Sequence, residues 1–85
     1  MFSDLEIIFS PLSGDFTCDG ITVLVEIYRL SDRDRWSLEV VYLQTSCTLW
    51  THEFPTDQAA FSSFLRVAEI EGLSRFKTEA KFTLH

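Results

Sequence analysis

The sequence predicts an α+β fold: an antiparallel β-meander of four to five strands with a single α-helix packed on one face. Three observations predict it. Runs rich in β-branched and aromatic residues at 21–30, 35–44 and 47–54 are separated by turn residues, a helical stripe at 57–71 lies between Thr56 and Gly72, and 75–84 alternates apolar with polar. At 85 residues the chain reads as one small domain, 1–85, which buries roughly 60 to 65% of the surface that its unfolded form exposes.

Taken in order, 5–9 is a short strand, and Ser10-Pro11-Leu12-Ser13-Gly14 reads as a loop or a bulged break in one long edge strand. Asp19-Gly20 accepts positive φ at little cost, so 16–18 is expected to fold back onto 21–23. Ser31-Asp32-Arg33-Asp34 turns the chain into strand 35–44, and Thr45-Ser46 is read as a tight connection into 47–54. Pro55 ends that strand, Thr56 is the N-cap, and Asp57 places negative charge where the helix dipole favours it.

Phe61, Phe64, Leu65 and Ala68 fall on one stripe of the helix, flanked by Ala60 and Val67, and Gly72 suits the residue just past its end. Ile70 lies off the stripe, either exposed or covered by the tail. The tail strand, 75–84, is expected to run parallel to 47–54 and antiparallel to the first strand, and to join the sheet beside the first.

Counting from these turns puts Phe16, Val23, Val25, Ile27, Trp36, Leu38, Val40, Tyr42 and Leu49 on one face, which the helix stripe should cover. The reverse face then carries Leu24, Tyr28, Leu30, Val41, Leu43, Trp50 and Phe54, interrupted by Thr22, Glu26, Ser37, Glu39, Thr48 and His52. So much apolar surface on an uncovered face reads as a docking surface centred on Trp50, Val41 and Tyr28, with Leu24 and Leu43 beside them. The same count puts Cys18, Ile21, Gln44 and Cys47 in one row, the two thiols roughly 14 Å apart and beyond disulfide reach. Both cysteines are therefore expected to be free thiols.

The chemistry-bearing constellations are weak. Glu26, Glu39 and His52 would align across three strands of the reverse face, and two facing carboxylates invite a cation, so these are the metal candidates. The competing reading is a solvated polar row. The stretch 15–26 has Asp15, Thr17, Asp19, Gly20 and Glu26 at calcium-loop spacing, but a β-branched run follows where an EF-hand needs a helix. His52 and His85 are the only histidines, both cysteines lie far from His52 in this register, and no G-x-S-x-G, P-loop or G-x-G-x-x-G occurs. No catalytic residue and no cofactor are assigned, and no named family is matched by motif.

The formal charge is -6, and Asp4, Glu6, Asp15, Asp19 and Glu26 all precede Arg29, the first basic residue. Nucleic-acid binding needs Lys and Arg to displace counterions, so a nucleic-acid partner is not expected. Arg29, Arg33, Arg35 and Trp36 alternate with Asp32 and Asp34 and read as a solvated turn with local ion pairs. No window is long and apolar enough for a membrane span, and the start lacks the features of a signal peptide, so a cytoplasmic location is expected. These readings converge on a non-enzymatic protein-interaction module that self-associates or binds another protein through the reverse face. A binder of basic protein surfaces, working through the acidic N-terminal third, is the alternative; a metal-dependent activity is the third reading.

Overall fold

Asp19 and Gly20 both take positive φ, 54° and 78°, and close the hairpin between β2 (Gly14–Cys18) and β3 (Ile21–Leu30) with Cys18 opposite Ile21. The computed structural model describes residues 5–43, 46–77 and 82–84. Preceding β2, β1 (Ile7–Phe9) pairs with the far end of the same β3 edge, so β1 and β2 are two halves of one edge interrupted by a bulge. Ser13 bridges the gap. Its Oγ accepts from the Ile27 N–H at 3.0 Å and donates to the Ile27 carbonyl at 3.1 Å, standing in for a missing backbone partner.

Beyond β3 the sheet continues through β4 (Ser37–Tyr42) and β5 (Ser46–Trp50), both antiparallel. Thr56 then caps α1 (Asp57–Glu71), its hydroxyl accepting from the Ala59 N–H at 3.0 Å, and Gly72 ends the helix at φ 77°. A 3₁₀ turn, Leu73–Phe76, follows, and β6 (Phe82–Leu84) pairs parallel with β5. The path across the sheet is β1-β3-β4-β5-β6, with β2 beside β3. The class is the α+β one that the sequence predicts.

The helix covers one face. Val23, Val25, Ile27, Leu38, Val40, Trp50 and Phe54 from the sheet enclose Ala60 and Phe64 of α1 and Leu73 and Phe76 of the 3₁₀ turn. Phe64 is fully buried and stands edge-on to Phe16, with ring centroids 5.1 Å apart and planes at 82°. Burial of a side chain this size contributes about 2 to 3 kcal/mol. Ser10 ties the bulge to this layer, its hydroxyl donating to Asp57 at 2.7 Å and accepting from the Leu12 N–H at 3.0 Å.

Three sequence expectations are corrected. The tail strand lies at the β5 edge and not beside the first strand, because β1 and β2 together already occupy the other edge of β3. It is also shorter than 75–84 suggests. Leu73 and Phe76, three apart, turn together into the core as a 3₁₀ turn, and 78–81 lie outside the described residues. Ile70 is exposed.

The third correction concerns β5. Thr45-Ser46 as a two-residue connection would oppose Gln44 to Cys47; instead Tyr42 opposes Ser46, leaving 43–45 as a three-residue connection that Leu43 enters at φ 52°. An odd shift in register turns every side chain of a strand to the other face. Ser46, Thr48 and Trp50 therefore point into the core, and Leu49 points out. Phe54, bridged to Trp36, is likewise buried.

Candidate functional site

The face turned away from α1 is built from alternate residues of β1 through β5. Its rows are read from the register: Leu24, Val41 and Cys47; Glu26, Glu39 and Leu49; Phe9, Tyr28 and Ser37; and Ile7 with Leu30. Among the described residues, both helical elements pack on the opposite side. Large apolar side chains are consequently left in solvent: Ile7 at 57%, Phe9 at 54%, Leu49 at 38% and Leu24 at 37% exposure. Phe9 packs on Tyr28 with centroids 5.9 Å apart.

Of the interaction residues expected from sequence, Leu24, Val41 and Tyr28 do lie on this face. Trp50 does not. It is 7% exposed, inside the core and tilted against Phe76 at 6.4 Å, because the three-residue connection reverses β5. Leu49 takes its place. Leu43 is 70% exposed but belongs to the connection after β4, so it sits at the rim. Ile7 and Phe9 were missed, although 5–9 was recognised as a strand; the register needed to place them follows from the bulge.

Glu26 and Glu39 do face each other, as predicted. His52 does not complete the row, because Leu49 stands opposite Glu39 and His52 lies past the end of β5 in a bend, exposed against Phe54 at 4.7 Å. Among the described residues no group of three His, Cys, Asp or Glu is gathered around a metal-sized space. Cys47 is opposite Val41, not in a row with Cys18, and neither cysteine is in a disulfide.

Glu39 collects the available donors: the Cys47 thiol donates to one carboxylate oxygen and the Tyr28 hydroxyl to the other, the latter at 3.5 Å. Glu26 carries the electrostatic cost. Burial, and after it the facing Glu39, push its carboxyl above the ordinary range; burial, then Glu39 and Glu26, likewise raise the Tyr28 phenol. A raised carboxyl binds its proton more tightly folded than unfolded, so its contribution to stability is full at low pH and lost as pH rises through the folded value. Glu26→Gln is therefore expected to stabilise the monomer at pH 7 by about 0.5 kcal/mol, the scale of a cross-strand like-charge pair, with the gain shrinking towards pH 4. Urea unfolding at both pH values, at low micromolar protein, checks this; a gain independent of pH contradicts it.

At the far end of the same face, Arg33, Arg35 and Glu53 join Tyr28, Leu30 and Ser37 around a recess of about 210 Å³ that Ile7 and Arg29 also line. The local ion pairs expected for this turn are not formed among the described residues. Arg35 donates instead to the Glu53 carbonyl at 3.2 Å, and Arg29 donates to the Arg33 carbonyl at 2.7 Å while lying over Trp36 at 5.2 Å. The structure thus defines a small α+β domain with one sheet face covered and one open. No family model matches the chain, and no curated protein or solved structure matches it. Among the described residues no helix is long and apolar enough to cross a membrane.

Proposed function

We propose that this protein is a non-enzymatic interaction module that docks a protein on its open sheet face. One observation carries the reading: Ile7, Phe9, Leu24 and Leu49 leave large apolar groups in water on a single face. Solvated sheet faces normally scatter such residues singly. Leu24→Lys with Leu49→Lys is expected to abolish partner capture while leaving the thermal midpoint nearly unchanged, since both side chains are already partly solvated. Ile70→Lys, at an apolar position 75% exposed on the helix, should capture as the wild type does. Capture insensitive to the double substitution would overturn the reading.

The acidic alternative gains a specific observation. Asp15 faces Leu24, and Glu26 and Glu39 lie one row further along, so acid and apolar groups share this surface; Asp4 lies outside the described residues. Ionic strength separates the contributions, because contact through charge weakens with salt and apolar burial does not.

A further inference from the structure

We infer that the occupant of the open face is an amphipathic helix of a partner protein, whose apolar stripe is broken at its centre by one arginine or lysine seated on Glu26 and Glu39. The inference rests on the reading of that face as a docking surface and deepens it by naming the partner's chemistry. A face differs from an edge. An edge strand offers backbone N–H and C=O groups to an incoming strand, whereas the middle of a face offers side chains alone, so whatever lies there must satisfy its own backbone. A helix does so internally.

The spacing fits. Along β3 and β4 the open face steps from Leu24 and Val41 to Glu26 and Glu39 and then to Tyr28 and Ser37, two residues and about 6.6 Å at a time. Residues four apart on one side of a helix advance by about 6 Å. An apolar residue, a cation and a second apolar residue at that spacing therefore stand over Leu24 and Val41, then the two glutamates, then Tyr28 with Phe9 packed on it. Leu49, opposite Glu39, widens the apolar contact at the middle step.

Charge selects the cation. Any partner that covers Leu24 and Leu49 also strips water from the facing carboxylates beside them. Glu39 keeps two donors, the Cys47 thiol and the Tyr28 hydroxyl, but Glu26 has neither a hydrogen bond nor an ion pair among the described residues. A wholly apolar occupant would leave two like charges facing each other in a dry contact; a guanidinium or ammonium between them relieves the repulsion and supplies the missing partner. Asp15, opposite Leu24 on the same face, adds a third carboxylate one row away, and a chain of net charge -6 attracts a basic segment at long range. Arg33 and Arg35 lie at the far end, where Glu53 shares their recess, and among the described residues no cation of this chain pairs with either glutamate.

Three synthetic alanine-rich helices of about 18 residues, long enough to hold their fold in water, test this. The first carries a leucine stripe with arginine at its centre, the second has the same composition with that arginine exchanged for an alanine on the opposite side, and the third has glutamate at the centre. Fluorescence anisotropy should show the first binding at least about tenfold more tightly than the second, with the third weakest. Glu26→Gln with Glu39→Gln, its folding checked by circular dichroism, should erase the preference for the first peptide; Glu26→Gln alone, expected to reduce it, serves if the pair perturbs the fold. Equal affinity for the first two peptides, a preference that survives these substitutions, or no binding of any peptide would each overturn the inference. If it is overturned but Leu24→Lys with Leu49→Lys still abolishes partner capture, the docking reading stands; if that pair leaves capture intact, the reading itself has failed.

Discussion

Phe64→Ala is expected to destabilise the protein by about 4 kcal/mol and to lower the thermal midpoint by roughly 20 °C. Phe64 is fully buried where helix, sheet and 3₁₀ turn meet; its ring touches Phe16, lies 5.9 Å from Phe61 and stacks on Phe76 at the same distance. Truncation removes about 3 kcal/mol of apolar transfer and aromatic contact and leaves a cavity that three separately anchored elements cannot close. A chain of 85 residues has a total stability of about 4 to 13 kcal/mol, so the variant is expected to be marginal at 37 °C. Phe64→Leu, which keeps most of the volume, should cost well under half as much. Calorimetry or urea titration measures both, and equal costs would show that the packing at this junction is not specific.

Trp50→Ala is expected to cost about 3 to 5 kcal/mol, and the adjacent Leu49→Ala less than about 1 kcal/mol. The contrast follows from β5 alone: Trp50 is 7% exposed beside Phe76, and Leu49 is 38% exposed on the open face. A two-residue connection at Thr45-Ser46 would exchange these costs, because each side chain would move to the opposite side of the sheet. Leu49→Ala should also weaken docking, and Trp50→Ala should act on docking only through the folded fraction. Comparable costs at the two positions would contradict the packing described.

The error in β5 has a physical origin. In Ser46-Cys47-Thr48-Leu49-Trp50 the polar residues and the tryptophan share one parity, and alternation favours Cys47 and Leu49 as the inward set. Trp50 decides the matter, since an indole carries far more apolar area than a leucine, and it takes Ser46 and Thr48 into the core with it. The connection could not be read because its first residue, Leu43, adopts a left-handed conformation that nothing about leucine announces.

Elsewhere the local chemistry was explicit. Asp19-Gly20 specifies a hairpin with two positive φ angles, Thr56 and Gly72 bound α1 at both ends, and the pairing of Glu26 with Glu39 follows by counting outward from the 31–34 turn. The edge chosen by β6 was not legible, because it depends on β1 and β2 acting as one interrupted strand, which Ser13 makes possible by a side-chain substitution for backbone bonding. The recess beside Tyr28 was visible only as residue types. That Arg33 and Arg35 border Tyr28 and Ser37, and leave Asp32 and Asp34 unpaired with them among the described residues, is a matter of three-dimensional placement.

The account turns on which side of the sheet β5 presents to solvent, and cross-strand nuclear Overhauser contacts measure this directly. Backbone contacts linking Glu39 with Leu49 and Val41 with Cys47 are the predicted result, as these residues are opposite each other. Contacts linking Glu39 with His52 and Val41 with Trp50 would mean that Trp50 lies on the open face and Leu49 in the core, contradicting the proposed docking surface.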